Sequence, residues 1–185
     1  MLRLGLVQVL SQCYLLCIDV QNANVRKGHK TMLYQIQTAF ADLDAQMLER
    51  QTEWAMERFD ELAAARKDGR FADLDVFERG ARLVELAGGK KWYEQITGGN
   101  KQMLAEFVAK NVAAIIEKRN ARIVAALTKQ GITEIPAFTL YHHGNGYEGF
   151  FKVAGHQVTI HTIIAGGYNI QCLHERTLIK AKAAA

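Results

Sequence analysis

A single proline in 185 residues, Pro136, constrains this chain more than any other feature. Proline removes a backbone donor and clashes with the preceding helical turn, so helices can run unbroken through every position before it. The apolar residues in that stretch recur at helical spacing. From about Lys30 to Lys67 they fall at Leu33, Ile36, Phe40, Leu43, Met47 and Trp54, then at Phe59 and Leu62 after a one-residue shift. Asp42, Glu49, Glu53, Glu57 and Glu61 occupy the remaining faces, as in an amphipathic helix. Such a helix is roughly 55 Å long, more than a compact domain of this size needs. Its length predicts a protruding stem or a contact between copies, and hence a homo-oligomer.

Asp68-Gly69-Arg70 is a turn signal, and Asp73 or Asp75 caps a second helix with Leu74, Phe77, Ala81, Val84 and Leu86 inward. Gly88-Gly89 ends it. A short element, Lys90 to Thr97, carries Trp92, Tyr93 and Ile96 up to Gly98-Gly99. Asn100 is a good N-cap for a third long helix with Leu104, Phe107, Val108, Val112, Ile115, Ile116, Ile123 and Leu127, which stops at Gly131.

After Pro136 the period changes to two. Phe138 to Tyr141 reads as a strand, His143-Gly144-Asn145-Gly146 as a hairpin loop, and Glu148 to Val153 as the return. Ala154-Gly155 turns into a third strand, Gln157 to Ile164. Gly166-Gly167 breaks it, and Tyr168 to Lys182 forms a fourth. The expected fold class is α+β: long amphipathic helices in the N-terminal two thirds, packed with a small antiparallel β-meander at the C-terminus. With 49% hydrophobic and 23% charged residues the chain is globular, not disordered. It reads as a single domain over residues 1–185, helical at about 30–131 and β-sheet at about 137–182.

Met1 to Cys17 has Arg3 ahead of a mostly apolar stretch, superficially like a secretory signal. Gln8, Ser11 and Gln12 interrupt it, and it is too short to span a bilayer, so it reads as a buried strand or helix, with a targeting role for residues 1–28 kept open. Cys13, Cys17 and Cys172 make an odd, scattered set, which implies reduced thiols and a cytoplasmic protein.

The net charge is +4 and unevenly spread. Residues 31–89 carry seven basic and twelve acidic side chains, whereas residues 90–130 carry eight and three. The ordinary meaning is two helices with complementary solvated faces. The more specific meaning is an anionic partner, nucleic acid or a nucleoprotein complex, met by Lys90, Lys91, Trp92, Lys101, Lys118, Arg119, Arg122 and Lys129. On a helix Lys118, Arg122 and Lys129 can share one exposed face, with Lys101 and Arg119 nearer its edges. Cations beside Trp92 and Tyr93 suit phosphates and unpaired bases.

Five of the six histidines, His142, His143, His156, His161 and His174, fall in the last 44 residues. Cys172 and His174 would share a strand face, and Glu148 and Glu175 could complete a site. Against this stand the absence of HExxH and CxxC, so no metal, no cofactor and no catalytic residue is expected. The Gly88-Gly89-Lys90 and Gly98-Gly99-Asn100-Lys101 doublets lack the P-loop pattern and read as caps. Ala165 to Gln171, with two glycines beside Tyr168, Asn169 and Gln171, suggests a bulge or a tight turn. The sequence therefore ranks a non-enzymatic binder of nucleic acid or nucleoprotein first and an assembly protein joined through its long helix second. A histidine- or metal-dependent enzyme on the C-terminal sheet comes third. No membrane partner is expected.

Overall fold

The computed structural model describes residues 27–144, 146–164 and 175–183. The Met1–Cys17 segment, the cysteines, His174, Asn145 and the Ala165–Gln171 segment lie outside the described residues. Four helices, α1 (Lys27–Lys67), α2 (Val76–Leu86), α3 (Lys90–Gly98) and α4 (Lys101–Thr128), precede four strands. These are β1 (Tyr141–His143), β2 (Gly146–Val153), β3 (His156–Ile164) and β4 (Glu175–Ala183). The strands form one antiparallel meander in the order β1-β2-β3-β4, so the fold is α+β. The chain divides into two compact units, one from residues 1–45 and 113–185 and the other from 46–112.

In the first unit, Met32, Ile36, Phe40 and Leu43 of α1 and Ile123 and Leu127 of α4 form one buried cluster with Ile132, Ile135, Phe151, Val158 and Ile160. Helical spacing on two helices and alternation on the strands thus deliver apolar side chains to one core. Each fully buried aliphatic or aromatic side chain contributes about 1.5–3 kcal/mol. Gly131 (φ +76°) ends α4, with Ile132 N–H donating to the Leu127 carbonyl at 3.1 Å. The β2–β3 turn is Ala154-Gly155, both at positive φ, as a two-residue hairpin on right-twisted strands requires.

The β1 strand begins only at Tyr141, not at Phe138 as the alternation predicts. The reason lies opposite, at Gly149. A Cβ there would come within 2.8 Å of Phe138 Cδ2 and 3.0 Å of Leu140 Cδ2, so these two side chains occupy the inner sheet face in its place. Phe138 also meets Phe151, with ring centroids 5.1 Å apart. The residues before β1 therefore pack over the sheet and extend no edge.

In the second unit Trp92 lies between Trp54 and Phe107, each edge-to-face with centroids 5.2 Å away. The left-handed Gly88 (φ +86°) allows this: a Cβ at that position would sit 2.6 Å from Trp54 Cη2. Asp75 caps α2, accepting from Phe77 N–H at 2.7 Å and Glu78 N–H at 2.9 Å. The expectation that Phe77 and Ala81 point inward is corrected. No residue of α2 is buried, and Phe77 is 89% exposed. Spacing decides which side chains share a helix face, but not whether anything covers that face. Gln51 departs in the opposite sense: its side-chain amide is fully buried without a partner among the described residues, which costs about 1–3 kcal/mol.

By its length, the apolar stripe of α1 is expected to overreach its own domain and stay open for another copy. Ile36, Phe40, Leu43 and Met47 of that stripe are instead buried within this chain, and Leu33 and Trp54 are half-buried, so most of the stripe is covered without another copy.

Candidate nucleic-acid interface

The eight residues singled out by charge fall into three groups. Trp92 and Arg119 are core residues, and their expected place on a binding surface is corrected. Trp92 is 8% exposed because two aromatic rings close on it. Arg119 is 4% exposed. Its Nη1 and Nη2 donate to the two carboxylate oxygens of Asp44, Nη2 at 2.8 Å. Nε and Nη2 also donate to Asn120 Oδ1 at 3.0 and 2.7 Å, and the guanidinium lies 4.0 Å from the Phe40 ring centroid. Burial pushes the Asp44 carboxyl above its ordinary range, and the adjacent Arg119 opposes that shift.

Lys90, Lys91 and Lys101, in the second unit, are exposed but engaged. Lys90 Nζ stands 4.0 Å from Glu94. Lys91 Nζ donates to Asn111 Oδ1 at 3.4 Å and covers the Phe107 ring at 5.2 Å. Lys101 Nζ is 2.6 Å from Asp60 and 5.6 Å from the Phe59 centroid.

Lys118, Arg122 and Lys129, in the first unit, form the third group. All three are exposed, and none has an ion pair or hydrogen-bond partner among the described residues. At 100° per residue they lie within about 40° of one another around the axis of α4, and they span about 16 Å along it. Lys129 holds this alignment just past the last helical residue because its N–H still donates to the Ala125 carbonyl at 3.0 Å. The same stripe carries the exposed Ala114, Ala121 and Ala125, short side chains that keep nothing away from the cations.

A second cationic surface escapes charge counting. Residues 131–185 carry four basic and three acidic side chains and look nearly neutral along the chain. Strand alternation sorts them. Phe151, Val158, Ile160 and Thr162 face inward, whereas Phe150, Lys152, Gln157, Lys180 and Lys182 are exposed on the outer face. The register lines up Phe150, Thr159 and Lys180 in one row and Lys152, Gln157 and Lys182 in the next. Tyr141 pairs with Glu148 in a third row, which also holds His161. His143 Nε2 stands 3.9 Å from Glu148. An open depression of about 680 Å³ crosses this face between His143 and Lys182. The period of two around Phe150 and Lys152 is the sequence signal for this face. Reading it requires the strand pairing, which sequence order does not supply.

Among the described histidines, His143 and His161 line the outer-face depression with Glu148, whereas His142 and His156 are not part of that lining. His142 packs edge-to-face on Tyr147 at 5.4 Å, His156 Nδ1 is 3.0 Å from the Ala154 carbonyl oxygen, and His161 lies on the outer face. Among the described residues no three His, Cys, Asp or Glu side chains are grouped to hold a metal ion, and no helix is long and apolar enough to cross a membrane. No family model, curated protein or solved structure matches the chain.

Proposed function

We propose that this chain is a non-enzymatic protein that binds nucleic acid, free or within a nucleoprotein complex, through the basic stripe of α4. The observation that carries the reading is the alignment of Lys118, Arg122 and Lys129, exposed and without acidic partners among the described residues. Cations held in that way displace the counterions condensed on a phosphate backbone, so binding is favoured by ion release and weakens with salt. The stripe reads backbone charge and no particular sequence.

Titrating a labelled duplex over a range of salt concentrations tests this. Replacing Lys118, Arg122 and Lys129 together by Ala should lower affinity at low salt. It should also flatten the slope of log K against log salt by about 0.9 for each phosphate no longer neutralised. A parent protein that does not bind at low salt, or a triple variant with an unchanged slope, refutes the proposal.

A second reading, association between copies, is favoured by the exposure of Val76 (77%) and Phe77 (89%) at the start of α2, which moves the contact away from α1. Light scattering of the parent and of Phe77→Asp decides it. A dimer that the variant dissociates supports self-association, and a monomeric parent removes it.

A further inference from the structure

We infer that the outer face of the β-sheet is a separate binding site for single-stranded nucleic acid, on which unpaired bases stack against Phe150 and Tyr141 while lysines hold the backbone. Single-strand binding needs flat apolar rings open to solvent, beside cations placed to follow phosphates. The outer face has both. Phe150 is 41% and Tyr141 50% exposed, although aromatic side chains of a small protein usually enter its core, and neither packs against another ring among the described residues. They sit on adjacent strands one diagonal apart, because Tyr141 pairs with Glu148, two residues before Phe150. That diagonal is about 7–8 Å, within reach of two successive bases.

The cations follow the same geometry. Lys152 shares a strand and a face with Phe150 and is one row along, about 7 Å away. Lys180 lies in the row of Phe150, two strands over at about 9–10 Å, and Lys182 lies in the row of Lys152. Bases over β1 and β2 thus have cations along β2 and β4 for their phosphates. Between them Thr159 and Gln157 offer a hydroxyl and an amide for base edges. Glu148, the acid identified on this face, stands beside His143 and pairs with Tyr141 in the row next to that of Phe150 and Lys180, and it lines the same depression as Lys180 and Lys182. The complementarity is to a polyanion whose apolar surfaces are exposed. A duplex hides its bases, and inorganic polyphosphate has none.

Fluorescence anisotropy with a labelled oligothymidylate of about 15 nucleotides tests the site. The parent should bind at low salt. Phe150→Ala or Tyr141→Ala should weaken binding about 5- to 150-fold, corresponding to the loss of one stacked base. Phe150→Trp should retain it. Lys180→Ala with Lys182→Ala should reduce the salt dependence, and in the Lys118→Ala/Arg122→Ala/Lys129→Ala background, where the α4 stripe no longer adds its own phosphate contacts, Phe150→Ala should still weaken oligothymidylate binding. Circular dichroism of each variant excludes loss of fold. The inference is overturned if the parent does not bind, or if polyphosphate competes as well as the oligonucleotide while Phe150→Ala has no effect. It is also overturned if only the α4 variant loses binding, a result that would leave the helix proposal standing.

Discussion

Arg119 follows Lys118 directly, yet the two side chains live in different media. Lys118 is solvated, whereas Arg119 is buried against Asp44, Asn120 and Phe40. A buried pair of this kind offsets its desolvation only while both partners remain. Arg119→Met alone should therefore cost about 3–5 kcal/mol by denaturant unfolding, because the Asp44 carboxylate is left uncompensated. Asp44→Leu combined with Arg119→Met should recover most of that stability. Equal destabilisation in the single and double variants would show that packing, not charge pairing, dominates here. The pH dependence follows from the raised carboxyl. The folded state then holds the Asp44 proton more tightly than the unfolded chain does. This group's contribution is complete at low pH and declines as pH rises from about 3.9 through the folded value. The parent should gain on the double variant as pH is lowered from about 7 toward 4.5 in parallel unfolding curves.

At the scale of elements, spacing is a better guide to helices than to their surroundings. Unbroken 3.6-residue periodicity locates α1 and α4 to within a few residues, and Asp75 and Asn100 cap as their residue types predict, Asn100 Oδ1 accepting from Met103 N–H at 2.9 Å. The strands are legible from period two and from Ala154-Gly155. Three things are not. Phe77 belongs to an amphipathic pattern but faces solvent, because local periodicity carries no information about what lies across from it. Arg119 falls in a basic run, and only the fold could bring in Asp44, 75 residues earlier. Phe138 alternates like a strand residue, but Gly149 gives it a better place on the sheet face. That last packing is testable. Gly149→Ala should destabilise the protein by about 1–3 kcal/mol through overpacking against Phe138 and Leu140, measured by chemical unfolding. A neutral result would mean that residues 136–140 can lift away at no cost.

At the scale of the whole molecule, the two compact units differ in how the chain supplies them. Residues 46–112 are one uninterrupted stretch, while the other unit draws on residues 1–45 and 113–185. A fragment spanning 46–112 should retain helical circular dichroism and a near-ultraviolet signal from the edge-to-face Trp54, Trp92 and Phe107 rings. A fragment with neither would mean that this unit depends on the remainder of the chain. The same discontinuity sets a clock on synthesis. Asp44 leaves the ribosome 75 residues ahead of Arg119, an interval of about 4–15 s at about 5–20 residues per second. Met32, Ile36 and Phe40 wait at least as long for Ile123 and Leu127, and longer for Phe151, Val158 and Ile160. The newborn chain thus carries an unsheltered apolar helix while its middle third can already have folded. A slow codon run, a premature stop or a scarce chaperone during that interval would send part of each round of synthesis into aggregate.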